Sequence, residues 1–248
     1  MHHTTFNKQE ILNDTRNAFT SSPELMAGLE KATEFIDEKQ YKRIHTQPLR
    51  PTSLTINVND FEDQIQNYDN WFEQWGKTFS ELPRKGLALV NTDGKLKHGD
   101  PVNRSLYEWS IDNPHNPIFE WSCTKHTEVM EIPSLDPLYN LDPHWCRSNI
   151  LKWSNGAWFY PHVDTLVTHF DNVPCYNLRL WGTTTNDIVM GFDDGNQRLV
   201  QHNDVEPGRL YLLDSSIVHT AECIGKTGYQ FFLALLPSAY NKIQDYLI

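Results

Sequence analysis

No apolar run in the chain approaches the roughly 20 residues that cross a bilayer as a helix, so a membrane span is not expected. None of the four cysteines (Cys123, Cys146, Cys175 and Cys223) stands in a CxxC pair, which removes zinc ribbons and thioredoxin-like motifs from consideration. Basic residues are few and unclustered: 21 Lys and Arg face 32 Asp and Glu, for a net charge of −11. A surface this acidic repels phosphate backbones and argues against duplex nucleic acid as a partner. The opening residues, Met1 to Lys8, lack the apolar core of a secretion signal. Reduced thiols and a cytoplasmic location are the expectation. There is no internal repeat and no low-complexity tract.

What the chain does have is enough apolar and aromatic material for a core, 39% and 12% of its 248 residues. That length is read as a single domain, 1–248. Residues 1–85 read as mainly helical support. Leu25, Leu29, Phe35 and Ile36 form a helical stripe behind a helix start at Ser22-Pro23-Glu24. Phe61, Ile65, Tyr68, Phe72 and Trp75 form a second stripe, predicting a helix over 61–79. Between them Leu54 to Val58 alternates like a strand. Residues 86–147 begin with a buried strand, Gly86 to Asn91, and a turn at Gly94. The Pro-, Asn- and Asp-rich stretch that follows reads as long loops on the substrate side, the usual setting for lids and binding segments.

From 148 to 237 the pattern becomes short strands at regular spacing, separated by Gly and Pro turns. They are Asn149–Trp153, Tyr176–Trp181, Ile188–Met190, Arg198–Val200, Arg209–Leu213 and the long apolar run Gly228–Leu236. Asp193-Asp194-Gly195-Asn196 is a hairpin turn. A short helix is expected over 240–248. Helices first and strands after give an α+β fold, a jelly roll buttressed by N-terminal helices.

The chemistry centres on the segment Gly156 to Asp164 and on a distant His219. His-x-Asp occurs three times, at His162/Asp164, His169/Asp171 and His202/Asp204, so the motif alone decides nothing. His202/Asp204 lies too near His219 to leave room for intervening strands, and His169/Asp171 falls in a loop. His162/Asp164 ends an aromatic strand that starts at a glycine turn, where a rigid ligand pair belongs. Two imidazoles and one carboxylate on one face of a barrel hold iron(II) and leave three positions open, as oxygen activation requires. His162, Asp164 and His219 are therefore the expected metal ligands and the catalytic centre. Trp153, Trp158, Phe159, Tyr160 and Trp181 crowd the same region and read mainly as core packing.

Gly156 to Thr165, Asn177-Leu178-Arg179-Leu180-Trp181, Pro207 to Asp214 and His219 together resemble the iron(II)/2-oxoglutarate-dependent dioxygenase superfamily. The resemblance, covering about 148–237, is nearest to its aspartyl/asparaginyl β-hydroxylase and amino-acid hydroxylase branch. It implies a double-stranded β-helix, Fe(II), 2-oxoglutarate as co-substrate, O2, and hydroxylation of a protein side chain or a free amino acid. The substrate expected is thus a small molecule, or a peptide or protein.

The far carboxylate of 2-oxoglutarate needs a cation, best an arginine. The branch carries one shortly after the distal histidine, and here that place falls near Tyr229 and Gln230. Arg179, set between Leu178 and Leu180 on a buried strand, is the preferred replacement, because an inward-facing base there needs a partner. Arg209 is the second choice, with Asn177 and Tyr229 completing the carboxylate site. Two readings compete with a hydroxylase: a catalytically silent jelly-roll binding module, and an oxygenase without a ketoacid acting on another small molecule.

Overall fold

The computed structural model describes residues 5–11, 13, 36, 38–69, 71–73, 84–96, 122–164, 178–202 and 204–248. Twelve strands are described: β1 (Leu49–Thr55), β2 (Phe72–Glu73), β3 (Arg84–Asn91), β4 (Lys125–His126), β5 (Ser148–Trp153), β6 (Trp158–His162), β7 (Leu178–Thr183), β8 (Ile188–Asp193), β9 (Leu199–His202), β10 (Arg209–Leu213), β11 (His219–Cys223) and β12 (Gly228–Leu235). They form two antiparallel sheets. The larger has the order β1-β10-β7-β12-β5-β3-β2, with β4 on β3, and the smaller β6-β11-β8-β9. From β5 to β12 the chain passes repeatedly between the two, four strands in each. That is the strand order of a jelly roll. β1, β2, β3 and β4 widen its larger sheet.

Two apolar layers follow from the period-2 alternation of these strands. Outward-facing residues of the larger sheet (Leu87, Ile150, Leu180, Leu212, Phe231, Leu233) meet Phe61 and Ile65 of the helix Val58–Ile65 and Ile132 and Leu135 from the short helical turns near 128–139. Inward-facing residues (Leu151, Trp153, Trp181, Tyr211, Leu213) meet Phe159, Ile188, Met190, Phe192 and Ala221 of the smaller sheet. β12 is buried on both faces because it has a layer on each side.

The helix expected over 61–79 ends at Ile65. It starts a turn earlier than the stripe, at an N-cap where the Asn57 side chain accepts from the Asp60 amide. Its early end has a local cause. Asn67, Asp69 and Asn70 follow, and such side chains favour turns over continued helix. Tyr68 and Trp71 still pack on the outer layer, so the apolar spacing marked burial rather than helix. The strand expected at 54–58 runs instead from Leu49 to Thr55. The stripe at 25–35 and the stretch 97–121 lie outside the described residues. The C-terminal helix is shorter than expected, Tyr240–Gln244. Among the described residues no helix is long and apolar enough to cross a membrane.

Candidate metal centre

His162 closes β6 and His219 opens β11, and the two are cross-strand partners. Between these paired positions β6 takes three steps, from Phe159 to His162, where β11 takes two, from His219 to Ala221. The extra residue is a β-bulge, and the Thr220 hydroxyl donates to the Phe159 carbonyl inside it. A bulge re-aims side chains. Here it brings His162, otherwise on the opposite face from Phe159, toward the inside beside His219, with imidazole centroids 4.4 Å apart. Asp164 lies two residues on, hence on the same side, and its amide donates to the Ser215 carbonyl at 3.0 Å, tying it to the turn before β11.

Ligating atoms of His162, Asp164 and His219 all lie within 4.8 Å of one another. His162 Nε2 is 3.3 Å from Asp164 Oδ1 and His219 Nε2 is 3.5 Å from Asp164 Oδ2. Each ring is oriented from behind. His162 Nδ1 donates to the Tyr160 carbonyl at 2.9 Å and His219 Nδ1 to the Ile217 carbonyl at 2.8 Å. A carbonyl only accepts, so the proton of each neutral ring sits on Nδ1 and the Nε2 lone pair faces Asp164. Two lone pairs and a carboxylate aimed at one point repel unless a cation stands between them. Asp164 Oδ2 is buried and has no hydrogen-bond partner.

The electrostatics fit that reading. Burial, then the neighbouring His219, hold the His162 imidazole below its ordinary value, against the pull of Asp164. Burial alone would raise the Asp164 carboxyl. The Arg179 guanidinium first, and then His162, outweigh it and hold the group well below the usual carboxylate range. Neutral imidazoles with an ionised carboxylate are the ligand forms of a two-histidine, one-carboxylate site, and three donors leave coordination positions open.

Arg179 faces inward from β7, with Nε 3.7 Å from Asp164 Oδ2 and its guanidinium over the Phe232 ring at 4.8 Å. Arg209 and Tyr229 are not brought to this place. The pairing Tyr211↔Trp181 and Leu212↔Leu180 sets Arg209 at the other end of β10 from the residue beside Arg179. There it donates to Glu206 at 2.8 Å and to the Thr52 carbonyl at 2.7 Å. Tyr229 points to the outer layer, edge-on to Phe61. Strand register and strand parity, neither fixed by composition, account for both placements. Asn177 lies outside the described residues, as do His169 and Asp171. His126 pairs with Asp142 at 3.2 Å and His144 with Ser238 at 2.9 Å, away from the triad.

The sequence reading missed Arg84, Asn149 and Gln230. All three are buried on the inward face of the larger sheet. Their signal was parity: Arg84, Gly86 and Ala88 alternate along one strand, and a base in such a row faces the core.

No protein-family model and no curated protein matches the chain. Among solved structures it is similar to an oxalate oxidase (11% identity, TM-score 0.32), covering 66% of this chain and 56% of that one. A second is the cupin domain of Schizosaccharomyces pombe Cnp3 (10%, TM-score 0.28; 42% and 64% covered). A third is an RmlC-like cupin from Shewanella frigidimarina (13%, TM-score 0.26; 38% and 68% covered). The chain thus spans little more than half of the oxalate oxidase. The jelly-roll assignment rests on the strand order itself.

Proposed function

We propose that this protein is a mononuclear iron(II) oxygenase that uses 2-oxoglutarate as co-substrate and hydroxylates a protein side chain or a free amino acid. One observation carries the reading: His162 and His219 are each locked from behind by a backbone carbonyl, so that both Nε2 lone pairs and the Asp164 carboxylate converge. This donor set suits iron(II) with open positions. Iron, ketoacid and O2 supply the oxidation: one oxygen atom enters the substrate C–H bond, the other goes into succinate, and carbon dioxide leaves.

The polypeptide's part is orientation and charge. Asp164 supplies the one anionic ligand. Arg179 keeps it ionised and steers its second oxygen. Phe159, its ring perpendicular to that of His162 at 4.4 Å, packs against the imidazole and helps fix its orientation. The turn Asp214 to Ile217 sets His219, with Asp214 accepting from the Ser216 amide at 3.1 Å and from Tyr41 at 3.1 Å.

Anaerobic addition of iron(II) and 2-oxoglutarate is expected to give the weak visible charge-transfer band of the chelate, and admission of O2 to give succinate. A band that fails to form with iron bound removes the ketoacid from the reading. Failure of iron itself to bind removes the oxygenase.

A further inference from the structure

The space between the sheets holds a second set of polar groups that the metal centre does not use. Arg84 is 3% exposed, and its Nε and Nη2 have no hydrogen-bond partner. Its guanidinium lies between two rings, 4.8 Å from that of Trp153 and 4.2 Å from that of Phe159. Burial depresses it to about 9, against the pull of Tyr160. An arginine enclosed in this way, with no carboxylate on those two nitrogens, is costly to the fold. Asn149 is fully buried with both amide atoms unpartnered, and Gln230 is buried with Oε1 unpartnered.

Register places these groups on one face, in three successive rows, the first of them Arg84, Trp153 and Gly228. Across β3, β5 and β12, Gly86, Leu151 and Gln230 form one row and Ala88, Asn149 and Phe232 the next. Arg84 leads the same face of β3, where the small Gly86 and Ala88 follow it. The link to the metal centre is short. The Phe159 ring that Arg84 covers at 4.2 Å is itself 4.4 Å from the His162 ring, so the guanidinium is no farther from that imidazole than those two lengths end to end.

We propose that Arg84, with Asn149 and Gln230, forms a carboxylate-binding site behind the metal triad, built on the strand β3 that lies outside the jelly roll. A carboxylate accepts from the two unpartnered guanidinium nitrogens and from the Asn149 amide, and the Gln230 amide donates when its oxygen and nitrogen are exchanged. Arg179 is already engaged with Asp164. A ketoacid chelated at the triad carries its far carboxylate three C–C bonds of about 1.5 Å beyond the chelating end, toward Arg84. The carboxylate belongs either to that co-substrate or to a separate acid. Only the first source rests on the reading proposed above.

The test uses the full chain and Arg84→Met, which keeps the volume and removes the charge. Glutarate, which has no keto group, is titrated calorimetrically without metal. 2-Oxoglutarate and 2-oxobutyrate, which lacks the far carboxylate, are titrated by the charge-transfer band with iron(II) under anaerobic conditions. Arg84→Met is expected to weaken glutarate and 2-oxoglutarate by about 100-fold, to leave 2-oxobutyrate unchanged, and to melt no lower than the wild type. Asn149→Leu is expected to weaken the same two ligands by about 10-fold.

Loss of glutarate alone, with 2-oxoglutarate unaffected, assigns the site to a separate acid and supports it. Loss of glutarate in a protein that gives no charge-transfer band supports the site while the ketoacid reading fails. Unchanged affinity for both diacids overturns the site while an intact band upholds the ketoacid. A steep fall in the melting temperature of Arg84→Met, with glutarate binding retained, makes Arg84 a structural residue and overturns the site as well.

Discussion

The two faces of the larger sheet are built on opposite principles. Its outer face is apolar without interruption along β12, with Phe231, Leu233 and Leu235 at 0%, 1% and 0% exposure, closed by Phe61 and Ile65. Its inner face mixes aromatic packing with Arg179, paired to Asp164, and with Arg84, Asn149 and Gln230, several of whose polar atoms are buried without hydrogen bonds. Burial of apolar area stabilises the first. The second gives up stability, since each buried unpaired polar group costs about 1–3 kcal/mol. On the proposed reading these groups serve a ligand rather than the fold. Side by side, the faces separate what folds the molecule from what works in it.

The sharpest way to divide them is at the triad. His219→Ala is expected to abolish succinate formation and iron(II) binding together while the protein stays folded, because it removes one of three donors and a like neighbour of His162. Equilibrium dialysis with iron and a melting curve check both halves. Retained turnover would take His219 out of the centre.

Adjacent residues of β12 should then give opposite readouts. Phe231→Ala opens the outer layer and is expected to cost about 3–5 kcal/mol in denaturant unfolding, with 2-oxoglutarate affinity of the folded protein unchanged. Phe232, on the inner face beneath the Arg179 guanidinium, is only partly buried. Phe232→Leu keeps most of the apolar contact and is expected to cost less than about 1.5 kcal/mol, while lowering turnover more than Phe231→Ala does per folded molecule. Equal effects on both readouts would erase the distinction between the faces.

Much of this was legible in the chain, and the failures share a cause. Strands β3, β5, β8, β10 and β12 declare themselves by apolar runs between Gly and Pro turns. His162, Asp164 and His219 could be picked out because a ligand pair at a strand end needs a distant third partner. The bulge that aims His162 left no mark in Phe159-Tyr160-Pro161-His162, since an extra residue is defined only against the strand it faces. Arg84 is not legible because the apolar run starts at Gly86, and the strand's first two residues, Arg84 and Lys85, carry no hydrophobic signal. The helix beyond Ile65 was over-extended because Tyr68 and Trp71 are buried for packing reasons that mimic helical spacing. Local periodicity reports burial well. Register and pairing, which decide what meets what, belong to the assembled sheets.

The smallest expected effects fall on two residues that look suited to a carboxylate and stand in the wrong place. Tyr229 shares the outer face with Phe231, where burial first, and then Glu62, push its hydroxyl up. Arg209 is occupied by Glu206, a pair whose acidic partner is 62% exposed, so solvent screens it. Tyr229→Phe keeps the ring against Phe61 and is expected to leave the KM for 2-oxoglutarate unchanged. Arg209→Ala is expected to cost no more than about 1 kcal/mol, mostly through the lost bond to the Thr52 carbonyl, again with KM unchanged. The comparison that matters is with Arg179→Ala, where loss of the cation beside Asp164 should disturb iron binding before it disturbs the ketoacid. A KM for 2-oxoglutarate that rose in Arg209→Ala as much as in Arg84→Met would mean that the inner face extends to the far end of β10, and the division between the faces would have to be redrawn there.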